Sequence, residues 1–230
     1  MLLNILGNNA LSVSEKLIYL LVMAFCVLLS LSVHELAHGI VAYWQGDSTA
    51  KYSGRLTLNP LSHLDPIGGI CLFVFGFGWA KPVPVNPYNF KNHKRGMVLT
   101  SLGGPASNFI MAFIAQFGVL ALGSIHFGSD ASMTYRICEL LYMLFSVLVS
   151  INLGLGLFNL IPIPPLDGSK VLNAVLPARI YFKIMEYERF GFIVLLLIIN
   201  LPFFNRALFG LENIIINLYT NILSLLPFIG

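Results

Sequence analysis

Two histidines and a glutamate stand close together in the segment LSVHELAHGI, which spans residues 31 to 40. His34 and His38 are four residues apart, so on a helix their imidazoles project from one face, one turn apart. This spacing allows both imidazoles to bind one tetrahedral Zn²⁺ ion, while Glu35 can reach a water molecule in an open coordination position. Zinc lowers the pKa of such a water towards 7, and Glu35 can accept its proton as a general base. The segment therefore predicts a hydrolytic metal centre.

The motif lies at the end of an apolar run, LIYLLVMAFCVLLSLSV, which spans residues 17 to 33. Of the 230 residues, 57% are hydrophobic and 10% are charged, and the mean hydropathy is +0.82. A soluble domain carries roughly 25% charged residues, so the composition predicts an integral membrane protein. Ionisable side chains are costly in a membrane-spanning segment, which favours a functional over a structural role for the motif.

The other apolar runs predict the helical organisation. Each transmembrane helix needs about 20 apolar residues, and the candidate runs lie at about residues 17–43, 97–123, 134–160, 190–204 and 207–226. A glycine-rich run at residues 67–79 is too short to cross as a helix, so we expect an interfacial or re-entrant element there. We predict an all-α polytopic membrane protein with five or six transmembrane helices.

A proline-rich stretch, WAKPVPVNPYNF, follows at residues 79–90. Its alternating prolines exclude a helix and favour extended backbone. Extended backbone persists at membrane depth only where protein shields it or where it lines a wet cavity. We therefore predict an extended element, either as a loop at the interface or as a wall of the site.

The placement of basic residues predicts the topology, because lysine and arginine are enriched in cytoplasmic loops. With the N-terminus outside, ten of the 13 basic residues lie on the cytoplasmic side, and only Lys16, Arg136 and Arg206 lie outside. The first helix then runs inward, so the two histidines lie near its cytoplasmic end. The apolar run at residues 134–160 also runs inward, and Asp167 follows it at the same membrane level.

A catalytic zinc site normally has three protein ligands and one open position. The candidates for the third ligand are His63, Asp65, His93, His126, Glu139 and Asp167. His126 and Glu139 fall on the outer side, and His93 lies in the basic surface run KNHKRG. His63 and Asp65 are better explained by capping and turn formation beside Pro60 and Pro66. Asp167, held by the flanking prolines of IPPLDG, is the predicted third ligand.

Asparagines in the apolar runs at residues 97–123 and 134–160 have several possible roles. Asn108 lies in LTSLGGPASNFIMAF, whose small residues allow close helix packing. Its amide can pair with Glu35, pair with another helix, or donate to a developing oxyanion. Asn152 and Asn159 face the same choice between a role in the site and a role in helix packing.

Five ordered motifs, HELAH, NPLSHLDPIG, GWAKPVPVNP, GGPASN and NLIPIPPLDG, resemble the site-2 protease family of intramembrane zinc metalloproteases. The resemblance runs collinearly from about Leu31 to Val171 and is closest to the compact prokaryotic type without PDZ or CBS domains. It implies one Zn²⁺ per chain held by His34, His38 and Asp167, with Glu35 as the catalytic base. It also implies a role for Asn108 near the scissile carbonyl and a three-helix catalytic core. A small membrane-associated β element after the first helix is a further implication, and it fits the extended proline-rich stretch.

We predict a single integral-membrane protease domain over residues 1–230, with a catalytic core at about 17–175 and a C-terminal helical hairpin at about 188–228. The expected partners are the lipid bilayer and a single-pass or small membrane-protein substrate, such as an anti-sigma factor or a remnant signal peptide, and no nucleic acid. The expected location is the plasma membrane, with the active site towards the cytoplasm. Two alternatives are a metal-ion transporter, which leaves Glu35 without a purpose, and a catalytically inactive membrane scaffold.

Overall fold

The structure, a computed structural model, describes residues 12–68, 80–124 and 133–227. The helices with described bounds are α1 Val13–Trp44, α2 Thr49–Tyr52, α3 Pro60–His63, α4 His93–Gly123, α5 Met133–Asn159, α6 Asp167–Val175, α7 Ala178–Met185, α8 Glu188–Ile199 and α9 Pro202–Leu223, and a single 3₁₀ turn covers Pro87–Asn89. Within the described ranges there is no β-strand, only an isolated antiparallel bridge between Leu64 and Ala80. The predicted all-α membrane class is confirmed.

Three long helices, α1, α4 and α5, pack against one another and form the frame of the molecule. Helix α1 begins at a capping box, in which the Ser12 hydroxyl accepts from the Glu15 amide and the Glu15 carboxylate accepts from the Ser12 amide. Between the helices lies an apolar core that includes Cys26, Ala112 and Leu153. The helices approach closely because small residues face bulky ones; a Cβ added at Gly118 would lie 2.6 Å from the Phe145 ring.

The described helices that are long and apolar enough to cross a membrane are α1, α4 and α5. Helices α8 and α9 form a bent pair, with an angle of 76° between Ile193–Ile199 and Pro202–Leu223, and the pair brings the candidate spans to as many as four. Pro202 occupies the first turn of α9, where a missing amide hydrogen costs nothing. The number of five or six crossings and the division into core and hairpin stay predictions.

In the segment between α3 and α4, residues 81–86 form no helix, as the prolines predict, and Asn86 and Phe90 have extended backbone. The short apolar run expected to form an interfacial or re-entrant element lies mostly outside the described residues, which resume at residue 80. From there the chain passes the cytoplasm-facing end predicted for α1 and enters α4, whose first turn is capped by Asn92 through the amide of Arg95.

Candidate metal centre

Three buried side chains from remote parts of the chain meet at one point. His34 and His38 lie on the last third of α1, and Asp167 is the first residue of α6. The two imidazole Nε2 atoms are 3.0 Å apart, and Asp167 Oδ2 lies 3.2 Å from His34 Nε2 and 3.0 Å from His38 Nε2. Among the described residues, these three are the only group of His, Cys, Asp or Glu side chains that could hold a metal ion together.

The hydrogen bonds at the far side of each imidazole show that the group fits a zinc ion. His34 Nδ1 lies 2.5 Å from Asn108 Oδ1, and His38 Nδ1 lies 2.6 Å from the Thr100 carbonyl oxygen. Because a carbonyl oxygen can only accept, each Nδ1 carries the proton and each Nε2 presents a lone pair. Two such nitrogens and a carboxylate oxygen facing one another repel unless a cation lies between them. Tetrahedral zinc with bonds of about 2.0–2.1 Å places its ligand atoms roughly 3.3 Å apart, close to the distances found.

Asp167 presents one oxygen to the histidines and the other to a lysine. Its Oδ2 faces the two imidazoles, while Lys170 Nζ lies 3.2 Å from Oδ1, one turn along α6. The carboxylate is therefore arranged to bind a metal through a single oxygen. Monodentate ligation by three residues leaves the fourth tetrahedral position open, as a catalytic rather than a structural site requires.

Glu35 lines a cleft of about 620 Å³ that opens beside the three ligands. The cleft walls are mostly apolar and include Val83, Val85, Leu155 and Phe158. Glu35 Oε2 accepts a hydrogen bond of 2.8 Å from the Val83 amide. The carboxylate is thus held at the edge of the cleft next to the ligands without belonging to their cluster, which is the placement a general base needs.

The extended segment that forms one wall of the cleft is fastened at several points. The Lys81 amide donates to the His63 carbonyl oxygen at 2.8 Å, and Arg55 Nη2 donates to the Lys81 and Pro82 carbonyl oxygens at 2.6 and 3.2 Å. Together with the Val83 bond to Glu35 of α1, these contacts hold residues 81–83 in place beside the site. The proline-rich segment is therefore a wall of the site, which the sequence left as one of two possibilities.

Asp47 fastens the next part of that segment. Its carboxylate accepts from the Thr49 amide and hydroxyl at 3.1 and 2.5 Å, from the Asn86 amide at 2.7 Å and from Asn89 Nδ2 at 2.8 Å. Burial opposes ionisation of Asp47, but these hydrogen bonds from Thr49, Asn89 and Asn86 outweigh it and hold the pKa of the carboxyl below its usual range.

The other residues considered as ligands have structural contacts. His63 is buried and its Nε2 lies 2.8 Å from the Thr57 carbonyl oxygen, and Asp65 Oδ1 accepts from the Gly68 amide at 2.8 Å, as expected for a turn. His93 is exposed beside Pro87, and Glu139 is exposed near the start of α5. His126 lies outside the described residues.

The asparagines separate into two groups. Asn108 and Asn152 are fully buried and hydrogen-bonded to each other, and Asn108 contacts His34 rather than Glu35. Asn159 lines the cleft and donates to the Leu155 carbonyl oxygen of its own helix. The backbone groups that orient the site, the Thr100 carbonyl and the Val83 amide, were not predicted, because a backbone partner leaves no residue-type signal in a sequence.

A buried cluster of two histidines and an aspartate, an adjacent carboxylate and long apolar helices define a metallohydrolase centre in a membrane protein. The comparisons agree, since the family model described as peptidase family M50 matches residues 22–199. The chain belongs to peptidase family M50 and is by class a zinc metalloendopeptidase.

Two relatives illustrate the similarity. YwhC of Bacillus subtilis (strain 168), provisionally named a zinc metalloprotease, is 42% identical over 187 residues, which cover 81% of this chain and 84% of that protein. Rip2 of Mycolicibacterium smegmatis, also provisionally named a zinc metalloprotease, is 29% identical over 192 residues, which cover 80% of this chain and 68% of that protein. No solved structure matches the chain.

Proposed function

We propose that this protein is an intramembrane endopeptidase, which hydrolyses a peptide bond within or near the transmembrane segment of another membrane protein. The observation that carries the proposal is the convergence of His34, His38 and Asp167 beside a mostly apolar cleft lined by Glu35. An apolar cleft suits a substrate segment that comes from lipid, and a carboxylate next to a metal centre suits hydrolysis.

The residues divide the reaction between them. His34, His38 and Asp167 would hold one Zn²⁺ per chain, through the two Nε2 atoms and Oδ2. When bound, zinc polarises the scissile carbonyl and makes the attacking water more acidic. Glu35 accepts the proton of that water, the water oxygen bonds to the carbonyl carbon, and Glu35 returns the proton to the nitrogen that leaves as an amine.

The extended wall of the cleft supports a mode of substrate binding. A peptide bond inside a helix is shielded by the helix, so the substrate must unwind before it is cut. We propose that the unwound segment adds as a strand along the edge of the region around residues 70–90, of which 80–90 are described. Pro82 and Pro84 offer no amide hydrogen, and the Val83 amide is bonded to Glu35. Docking next to Val83 would therefore place the substrate directly beside the base.

The proposed setting follows from the distribution of charge. Ten of the 13 basic residues fall on the side predicted to be cytoplasmic, which supports a multi-pass protein of the plasma membrane with its active site towards the cytoplasm. Single-pass or small membrane proteins, such as an anti-sigma factor or a remnant signal peptide, are the proposed substrates.

The test compares wild type with Glu35→Gln, using purified protein, stoichiometric zinc and a panel of single-pass model substrates in lipid vesicles. Loss of a general base typically costs about 10²–10⁴-fold in rate. We expect Glu35→Gln to bind one zinc per chain, as wild type does, and to cut at least about 100-fold more slowly. Cutting at the wild-type rate by Glu35→Gln contradicts the assigned base.

A second arm separates the competing functions. The same vesicles are tested for zinc uptake, and substrate binding is measured without cleavage. Uptake that Glu35→Gln leaves unchanged indicates a transporter, and binding without any product from the wild-type protein indicates an inactive scaffold. Either result contradicts the proposed protease.

A further inference from the structure

A chain of buried polar side chains crosses all three long helices and ends on one metal ligand. It consists of Ser30 on α1, Asn152 on α5, Asn108 on α4 and His34 on α1. Ser30, Asn108 and Asn152 are 0% exposed. Consecutive members are joined by hydrogen bonds of 2.8, 2.8 and 2.5 Å. Polar side chains in such a position are costly unless every member is satisfied.

Backbone acceptors fix the direction of every bond in this chain. The Ser30 hydroxyl donates to the Cys26 carbonyl oxygen at 2.7 Å, so its oxygen accepts from Asn152. Asn152 Nδ2 also donates to the Leu148 carbonyl oxygen at 2.9 Å. Rotating that amide by half a turn would set its oxygen against the Leu148 oxygen, acceptor against acceptor. The Nδ2 group of Asn152 must therefore face the Ser30 and Leu148 oxygens, and its Oδ1 must face Asn108.

The direction then passes on to the histidine. Asn152 Oδ1 accepts from Asn108 Nδ2 at 2.8 Å, which leaves Asn108 Oδ1 facing His34 Nδ1. An amide oxygen can only accept, so His34 carries its proton on Nδ1 and presents the Nε2 lone pair to His38 and Asp167. His38 needs no such chain, because the Thr100 backbone carbonyl holds its Nδ1 directly.

We propose that Asn152 and Ser30 are positioning residues of the metal centre, which act through Asn108 to hold His34 in the Nδ1-protonated tautomer and in its ligating orientation. The proposal rests on the proposed function only in taking His34 as a ligand. It assigns Asn108 a contact with the ligand in place of a contact with substrate. Consistent with this, Asn108 is fully buried and is not among the residues that line the cleft.

The experiment measures zinc affinity by competition with a chelator, and the His34 tautomer from imidazole ¹⁵N chemical shifts of the zinc-free protein. The variants are Asn152→Leu, Asn108→Leu and Ser30→Ala. The matched control is Gln116→Leu, which also removes a buried side-chain amide from α4. The Gln116 amide donates to Thr220 Oγ1 at 3.1 Å and contacts no metal ligand. Outer-shell partners of metal ligands typically contribute 10–100-fold in affinity.

The two leucine variants should bind zinc about 10–100-fold more weakly, with His34 shifting towards the Nε2-protonated tautomer. Ser30→Ala should weaken binding by about fivefold, because the Leu148 oxygen still holds Asn152. Gln116→Leu should match wild type in both measurements.

The inference is overturned if the variants keep wild-type zinc affinity and the Nδ1-protonated tautomer, even where turnover is lost. If Asn152→Leu does not fold, Ser30→Ala decides, and unchanged affinity and tautomer in that variant overturn the inference. A wild-type protein that binds zinc with His34 protonated at Nδ1, but cuts nothing, contradicts the protease proposal and leaves the inference standing. The two proposals can therefore fail separately.

Discussion

Gly104 on α4 faces the edges of both histidine ligands. A Cβ built on this residue would lie 2.6 Å from His34 Nε2 and even nearer to His38 Nε2. Real Cβ atoms do not approach other atoms so closely, and the imidazoles cannot move aside without leaving Asp167 and their Nδ1 partners. The glycine at this position is thus a requirement of the metal centre itself, beyond its contribution to helix packing.

Gly104→Ala should therefore weaken zinc binding at the metal centre while leaving the helices intact. We expect zinc affinity to fall by at least about tenfold, as for loss of a supporting interaction. The measurement is zinc stoichiometry and affinity of the purified protein, with far-ultraviolet circular dichroism as the check on helix content. Gly210→Ala is the control, since nothing lies within 4 Å of its added Cβ. Wild-type zinc binding in Gly104→Ala would show that the imidazoles do not occupy this place.

At the scale of elements, the site depends on how the extended wall is fastened to the end of α1. Asp47 joins the short loop after α1 to the wall through the Asn86 amide and the Asn89 side chain. Proline residues stiffen the wall but remove amide hydrogens from it, so side chains outside the wall must supply the partners for its remaining backbone groups. Arg55, Glu35 and Asp47 do this one after another along residues 81–86.

Asp47→Asn should destabilise the protein in a way that depends on pH. The hydrogen bonds lower the folded pKa of Asp47 below its unfolded value of about 4. The ionised carboxylate thus contributes stability above pH 4, and this contribution is lost as the pH falls through the lower, folded pKa. We expect the melting temperature of Asp47→Asn in detergent to lie below that of wild type at pH 6, and the gap to shrink below pH 4. A gap that is constant or widens towards acid pH contradicts the assignment.

At the scale of the whole molecule, the sequence predicted the features that depend on residue type and spacing. The four-residue interval of His34 and His38 placed both on one helix face, and the inward course of two apolar runs placed Asp167 at the same depth. The structure brings the three together. The rotation of α4 about its axis was not predictable, because it depends on packing, and this left three roles open for Asn108. In the structure its amide pairs with Asn152 on another helix, which was one of the three, and with His34, which was not.

The metal should also act as a cross-link of the whole fold, because Asp167 lies 133 residues from His34 and 129 residues from His38 along the chain. An ion that binds only the folded protein stabilises it by about 2.7 kcal/mol when present at 100 times its Kd. For a chain of this length, that corresponds to a rise in melting temperature of roughly 5–10 °C. Zinc added to chelator-treated wild type should produce this rise, measured by thermal unfolding in detergent.

Asp167→Ala should abolish the rise in melting temperature, whereas Asp65→Asn, which alters only a turn, should keep it. A full rise in Asp167→Ala would mean that zinc binds elsewhere and that α6 is not joined to α1 through the metal.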